Sequence, residues 1–247
     1  MKVAIRVDAS IHIGSGHIMR SLVLAIGLRE KGHSVYFICR PQSGDMIEFL
    51  KSKQQLVHIL PELASPIVPK NTSNYAAWLQ VDWLQDAEDV LTFSGDIDLM
   101  IVDHYGINSD WEHYVKSALG CQLFAIDDLV REHDADLILD QTLLRKPKEY
   151  KTFNQYTSIL TGSDYALIKP EFSQLRKLTL VKQTEGNKLK LLLTMGAIDQ
   201  FNITLQVLQV FATEIKNKPD ITVLLGQQSP HYANVSAFCR LHDWLTH

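Results

Sequence analysis

Cysteine is scarce in this chain: three residues in 247, Cys39, Cys121 and Cys239, all far apart. No C-x-x-C pair occurs, which excludes a disulfide framework. Cys39 and Cys121 lie in apolar, strand-like runs and read as small buried hydrophobes. Long apolar runs are missing as well. Nothing approaches the ~18 consecutive residues of a membrane span. The first residues form a short strand carrying Arg6 and Asp8, not a continuous apolar leader, so a cytoplasmic protein is expected. No charge of one sign dominates: Lys and Arg total 24 against 28 Asp and Glu, a formal −4. The basic residues are scattered, so neither nucleic acid nor an anionic membrane is an expected partner. There is no G-x-S-x-G, no H-E-x-x-H, no Walker loop and no low-complexity segment. With 46% hydrophobic and 21% charged residues, the chain can build a real core in one large or two small α/β domains.

The organising stretch is the first twenty residues. Val3, Ile5 and Val7 alternate within an apolar run, as in a β-strand. Gly14-Ser15-Gly16 follows, and a helical pattern starts at His17 and ends at Gly32. A strand, a glycine turn and a helix N-terminus make a place for a ligand, because the backbone approaches closely and free amides carry partial positive charge. His17, read as an exposed imidazole at the mouth of that turn, is a candidate general base; the helix N-terminus favours its neutral form. As a dinucleotide fingerprint the stretch is incomplete. Cys39-Arg40-Pro41 stands where a ribose-binding acid belongs, leaving Arg40 only for a phosphorylated ribose.

Further along, Ser34–Cys39 and Gln55–Leu60 read as strands, with Ile47–Leu50 as the tail of a short helix. Pro61 to Asn74 is a loop. Tyr75 to Phe93 has helical spacing, with Trp78 and Trp83 as core packing. Asp98–Asp103, Gln122–Ile126 and Asp136–Asp140 each read as a strand ending at acids, and Ser109 reads as the cap of a helix between the first two. In open parallel sheets ligands bind beyond the carboxyl ends of the strands. Asp8, Asp103, Tyr105, Asp127, Asp128 and Asp140 gather at such ends. Asp127-Asp128 has no His or Glu at ligand spacing, so no metal is expected. Residues 145–186 read as irregular, with one apolar run at Ile159-Leu160. A further strand–glycine-loop–helix begins at Leu189, through Gly196, Asp199 and Asn202, with strands at 190–194 and 221–225. The expected lobes are 1–160 and 189–247, joined by 161–188. The C-terminal lobe reads as cut short, leaving an apolar edge open to self-association.

Seven motifs in order carry a resemblance: Arg6-Val-Asp8-Ala-Ser10, Ile13-Gly-Ser-Gly-His-Ile-Met-Arg20, Ile101-Val-Asp-His-Tyr-Gly106, Ala125-Ile-Asp-Asp-Leu129, Asp140-Gln141, Gly162-Ser-Asp-Tyr-Ala-Leu-Ile168 and Gly196-x-x-Asp199-x-x-Asn202. Together the chain resembles, from Met1 to about Thr204, the UDP-2,4-diacetamido-2,4,6-trideoxy-β-L-altropyranose hydrolases of pseudaminic acid biosynthesis. The resemblance implies a GT-B-like α/β fold of two Rossmann-like lobes with parallel sheets, here with the C-terminal lobe incomplete. It implies hydrolysis of a UDP-sugar with inversion, without metal or cofactor, and a monomer at full length. His17 matches the general base and Tyr105 a tyrosine near the attacking water. Asp8, Gly14, Ser15, Gly16, Arg20 and Asp103 are expected around the substrate, with Gly196, Asp199 and Asn202 toward the diphosphate. Two departures stand out: Gly196-Ala197 replaces a Gly-Gly pair, and the later uridine-binding segment is missing. A GT-B glycosyltransferase and a catalytically silent sugar-nucleotide binder are the alternative readings.

Overall fold

The computed structural model describes residues 1–71, 73–93, 95–179 and 189–246, with the side chains of 177–179 excepted. It divides into two compact units, Met1–Lys169 and Pro170–His247. The sequence places the crossing at 161–188, of which 180–188 lie outside the described residues.

The first unit is built on seven parallel strands in the order β3-β2-β1-β4-β5-β6-β7. They are β1 (Lys2–Val7), β2 (Ser34–Cys39), β3 (Leu56–Ile59), β4 (Leu99–Asp103), β5 (Gln122–Ile126), β6 (Leu137–Asp140) and β7 (Ser158–Thr161). The central strands read as near-continuous apolar runs because helices cover both faces. On one face Val3, Ile5 and Val7 pack against Ile18, Leu22 and Ala25 of α1 (Gly16–Glu30) and Ile47 and Leu50 of α2 (Ile47–Ser52). On the other, Ala4, Met100 and Val102 meet Ala87 and Val90 of α3 (Trp83–Phe93), Trp111 and Val115 of α4 (Ser109–Leu119) and Tyr150 of α5 (Pro147–Tyr150).

Strand order reverses between β1 and β4, whose register pairs Val7 with Asp103. Such a switch point opens a crevice at the carboxyl ends, where a ligand fits.

Four local expectations change. Tyr75 to Phe93 is two elements: a 3-10 turn, Tyr75–Leu79, stops at Gln80 in the left-handed region (φ 64°), and α3 starts afresh after Asp82, whose carboxylate accepts from the Leu84 amide. The cap of α4 is Asn108, accepting from the Trp111 amide, instead of Ser109. The stretch from 145 holds α5, β7, a 3-10 turn at Ser163–Tyr165 and α6 (Pro170–Thr179), elements too short to show a period. The C-terminal unit has a third strand.

That unit carries a parallel sheet in the order β10-β9-β8, formed by β8 (Lys190–Leu193), β9 (Asp220–Val223) and β10 (Leu245–Thr246). Leu193, Ile221 and Val223 pack against Leu208 of α7 (Ile203–Glu214) and Val235 and Cys239 of α8 (Tyr232–Arg240). Its order repeats the β3-β2-β1 half of the first sheet. All three cysteines are free and buried. Among the described residues no helix is long and apolar enough to cross a membrane.

Candidate active site

The crevice beyond β1 and β4 gathers the chemistry. Gly14 turns the chain after β1 with φ +79° and donates its amide to Ser10 O at 2.7 Å, while Ser10 Oγ accepts from the His12 and Ile13 amides. A Cβ at Gly14 or Gly16 would meet nothing within 4 Å. Gly16 also has no positive φ, so neither backbone nor crowding requires glycine there; open space above the loop is what its missing side chain provides. Ser15 caps α1 by position only, with no side-chain hydrogen bond and no acid in the first turn. That helix end keeps its positive character for an anion.

His17 is buried, 7% exposed, which corrects the exposed imidazole read from the sequence. Its Nδ1 lies 2.6 Å from Asp103 Oδ1. A carboxylate only accepts, so a ring proton sits on Nδ1, and in the neutral imidazole Nε2 is the nitrogen with the lone pair. Asp103 is fully buried and also takes Arg20 Nη2 (2.6 Å) on Oδ1, and Arg20 Nε (2.8 Å) and Ser21 Oγ (3.0 Å) on Oδ2. Burial alone pushes its carboxyl up, but His17 and Arg20 pull it down to about 2. Arg20 reaches past Asp103 to Asp128, Nη1 to Oδ2 at 2.6 Å, and Asp128 Oδ2 in turn accepts the Tyr105 hydroxyl at 2.5 Å. Burial first and Asp128 second push the Tyr105 phenol well above its ordinary range. The Tyr105 ring meets His17 edge-on, 4.6 Å between centroids.

Two residues gain a place here beyond their sequence reading. By sequence Asp128 is one of the acids gathered at the strand ends, with no partner assigned. Trp78, read as core packing, stacks on Tyr105 (5.5 Å, 22° between planes) and meets His17 edge-on. No local period carries that information, because the contact spans 27 residues and depends on where the 3-10 turn lands. Gly106 is what lets it land: a Cβ there would stand 2.7 Å from the Tyr75 carbonyl oxygen.

Asp8 lies deeper than the sequence suggests. It is buried and faces Arg6 Nη1 (2.7 Å), the Arg40 amide (2.7 Å) and His104 Nε2 (3.3 Å). Arg40, the candidate for a phosphorylated ribose, is instead buried against Asp86, Asp89 and the Pro61 carbonyl. Asp127 and Asp128 have separate partners: Asp127 takes Arg131 and the Tyr150 hydroxyl, with His133 Nε2 at 3.4 Å. Asp140 takes Arg145 and lies 2.9 Å from the same Tyr150 hydroxyl, whose single hydrogen the two carboxylates share.

In the C-terminal unit, Gly196 has φ +80° with open space beside it. Asp199 is buried and accepts from the Ile203 and Thr204 amides (2.9 and 2.8 Å), so its carboxylate already caps α7. Asn202, left-handed at φ 55°, carries a buried Oδ1 with no hydrogen-bond partner among the described residues. The glycine turn of the first unit therefore has an uncapped helix end, and that of the other unit a capped one.

No family model matches the chain. It is 27% identical over 244 residues to UDP-2,4-diacetamido-2,4,6-trideoxy-β-L-altropyranose hydrolase from Campylobacter jejuni, covering 98% of this chain and 76% of that protein. In structure it is similar to MurG from Acinetobacter baumannii (TM-score 0.56, 14% identity, 99% of this chain and 66% of that one). It is also similar to Arabidopsis thaliana UGT89C1 complexed with UDP-L-rhamnose (TM-score 0.55, 12% identity, 99% and 68%). Along nearly its whole length the chain is similar to the Campylobacter hydrolase, and it has a GT-B-like fold.

Proposed function

We propose that this protein hydrolyses a UDP-activated 2,4-diacetamido-2,4,6-trideoxyhexose at its anomeric carbon, with inversion and without a metal. The observation that carries the reading is the buried His17–Asp103 pair at the switch point, in a chain similar to a hydrolase of that substrate. The oxygen of water bonds to the anomeric carbon as the bond from that carbon to the diphosphate oxygen breaks. The bonding pair leaves on UDP, and His17 Nε2 takes the proton. Asp103 holds the ring in the required tautomer and stabilises the imidazolium. Arg20 fixes Asp103, while Gly14, Ser15 and Gly16 leave room for the substrate beside the amides of α1.

Asp8 serves by bracing the strand ends, since its oxygens are occupied inside the protein. Gly196 and Asn202 are the candidates of the C-terminal unit for the diphosphate, with Asp199 keeping their turn in shape. Metal independence is supported by the donor chemistry, because Asp127 and Asp128 are each taken by arginine and hydroxyl groups.

The test is UDP release from the UDP-sugar in H₂¹⁸O. Attack at the anomeric carbon puts the label in the sugar and none in UDP, and EDTA leaves the rate unchanged. His17→Asn is expected to keep the fold and lower the rate by ~10²–10⁴. A well-folded His17→Asn protein with most of its activity would remove His17 from the mechanism.

A further inference from the structure

We propose that Asp128 is a positioning residue that fixes the hydrogen of the Tyr105 hydroxyl, leaving the Tyr105 oxygen as a hydrogen-bond acceptor for the attacking water. The inference rests on the hydrolase reading, because it assigns what Tyr105 does beside that water.

The Tyr105 hydroxyl lies 2.5 Å from Asp128 Oδ2. A carboxylate has no proton to give, so the phenolic hydrogen lies on that line and the oxygen's lone pairs face elsewhere. Tyr105 then neither protonates the leaving diphosphate nor serves as a phenolate base. With His17 Nε2 also an acceptor, a water between them donates both hydrogens and turns a lone pair toward the anomeric carbon. His17 takes one of those protons; Tyr105 holds the other in place without receiving it.

Asp128 is built for this. Arg20 Nη1 grips its Oδ2 at 2.6 Å while the same guanidinium holds Asp103, so one side chain spaces the partners of both His17 and Tyr105. The turn bearing Asp128 is also held in an uncommon backbone shape. Val130, a β-branched residue, sits at φ 58°, a genuine outlier. Arg131 fixes the turn: its amide and Nε go to Asp127, and its Nη1 goes to the Tyr105 and Ile107 carbonyls (2.7 and 2.9 Å). The backbone of Tyr105 and the turn of Asp128 are thereby tied together. Strain maintained by surrounding bonds is characteristic of functional positions. Trp78 stacked on the ring prevents the phenol from swinging away.

The test uses the full chain with Asp128→Ala, Tyr105→Phe and the double variant. Arg20 and Tyr105 share Asp128 Oδ2, so an Asn would keep its oxygen on both, whereas Ala removes the acceptor and frees the hydroxyl to turn. Asp128→Ala should then lower kcat about 10–100-fold with KM little changed, and add nothing further in the Tyr105→Phe background. Thermal unfolding checks that the fold is kept. A further readout needs no turnover: the ¹³Cζ signal of Tyr105, assigned through Tyr105→Phe, should titrate at lower pH in Asp128→Ala than in the native chain. Losses that multiply in the double variant, or a Tyr105 signal that ignores Asp128→Ala, would overturn the assignment. Absence of UDP release by the native chain with the Tyr105 shift present would instead remove the hydrolase reading, and with it the water.

Discussion

Asp103 has two oxygens and four donors, and each donor answers a different need. His17 needs an acceptor to fix its tautomer; Arg20 and Ser21 supply the hydrogen bonds that let a carboxylate stay charged without water. Asp103→Asn keeps the size of the side chain but offers an N–H where an acceptor is required. The imidazole loses its enforced tautomer, and kcat for UDP release is expected to fall by ~10²–10⁴ while circular dichroism stays native. An Asn variant within a few-fold of the native rate would mean that Asp103 is structural only.

His133 makes a different prediction. It is buried, with Nδ1 2.7 Å from Glu112 Oε1 and Nε2 3.4 Å from Asp127 Oδ2. Burial lowers its pKa, but the two carboxylates outweigh that and raise it to about 9. The folded protein therefore holds this proton more tightly than the unfolded chain. The stabilisation is complete below the unfolded value near 6.5 and disappears as pH rises through about 9. Urea unfolding of the native chain and His133→Gln should differ by ~1–3 kcal/mol more at pH 6 than at pH 9.5. A gap that does not change with pH would show that His133 is not protonated in the fold.

At the scale of elements, the 3-10 turn Tyr75–Leu79 is the piece that completes the site wall. It sits on Gly106, just past β4, and delivers Trp78 to Tyr105. Its backbone is held by Gln42, whose side-chain amide donates to the Trp78 carbonyl at 3.0 Å. Gly106→Ala puts a methyl 2.7 Å from the Tyr75 carbonyl oxygen and 3.0 Å from the His104 ring. Neither neighbour is the free end of a flexible side chain, so the turn has to lift. The expected result is a loss of about 1–3 kcal/mol in stability together with a lower kcat, as Tyr105 loses its stacking partner. Unchanged tryptophan fluorescence and unchanged kcat in Gly106→Ala would show that the turn is not coupled to the site.

For the whole molecule, the two units differ in what each can sustain. Met1–Lys169 has seven strands and a buried apolar layer on each face. Pro170–His247 has three strands and one apolar cluster among the described residues. Larger cores bury a greater share of their surface and are correspondingly more stable. A protein ending at Lys169 should therefore unfold in one cooperative transition, close to the main transition of the full chain. It should bind UDP at least ~10-fold more weakly, since losing one hydrogen bond to a charged ligand costs about 1.5–3 kcal/mol. Calorimetry of both lengths measures each quantity. A Lys169-terminated protein that fails to fold would show that the C-terminal unit stabilises the first, and equal UDP affinity would place the nucleotide entirely on the first unit.

The sequence by itself determined the strands apart from β7 and β10, the two glycine turns, the order of the motifs and the candidacy of His17 and Tyr105. Strand and helix periods are local, and a glycine turn between them is legible within twenty residues. Only the tertiary structure decided which groups meet. His17 and Asp103 are 86 residues apart, joined because β1 and β4 pair in a register that sets Val7 beside Asp103. Strand order, not strand content, chose Asp103 over Asp8, Asp127 and Asp140 as the partner of His17. The same holds for Arg40, whose buried ion pairs are invisible without α3. Asp128 and Trp78 reached the site through a strained turn and a short 3-10 helix, neither of which leaves a periodic trace. Pairing across a parallel sheet is a long-range choice made by packing, and the local pattern of side chains does not encode it.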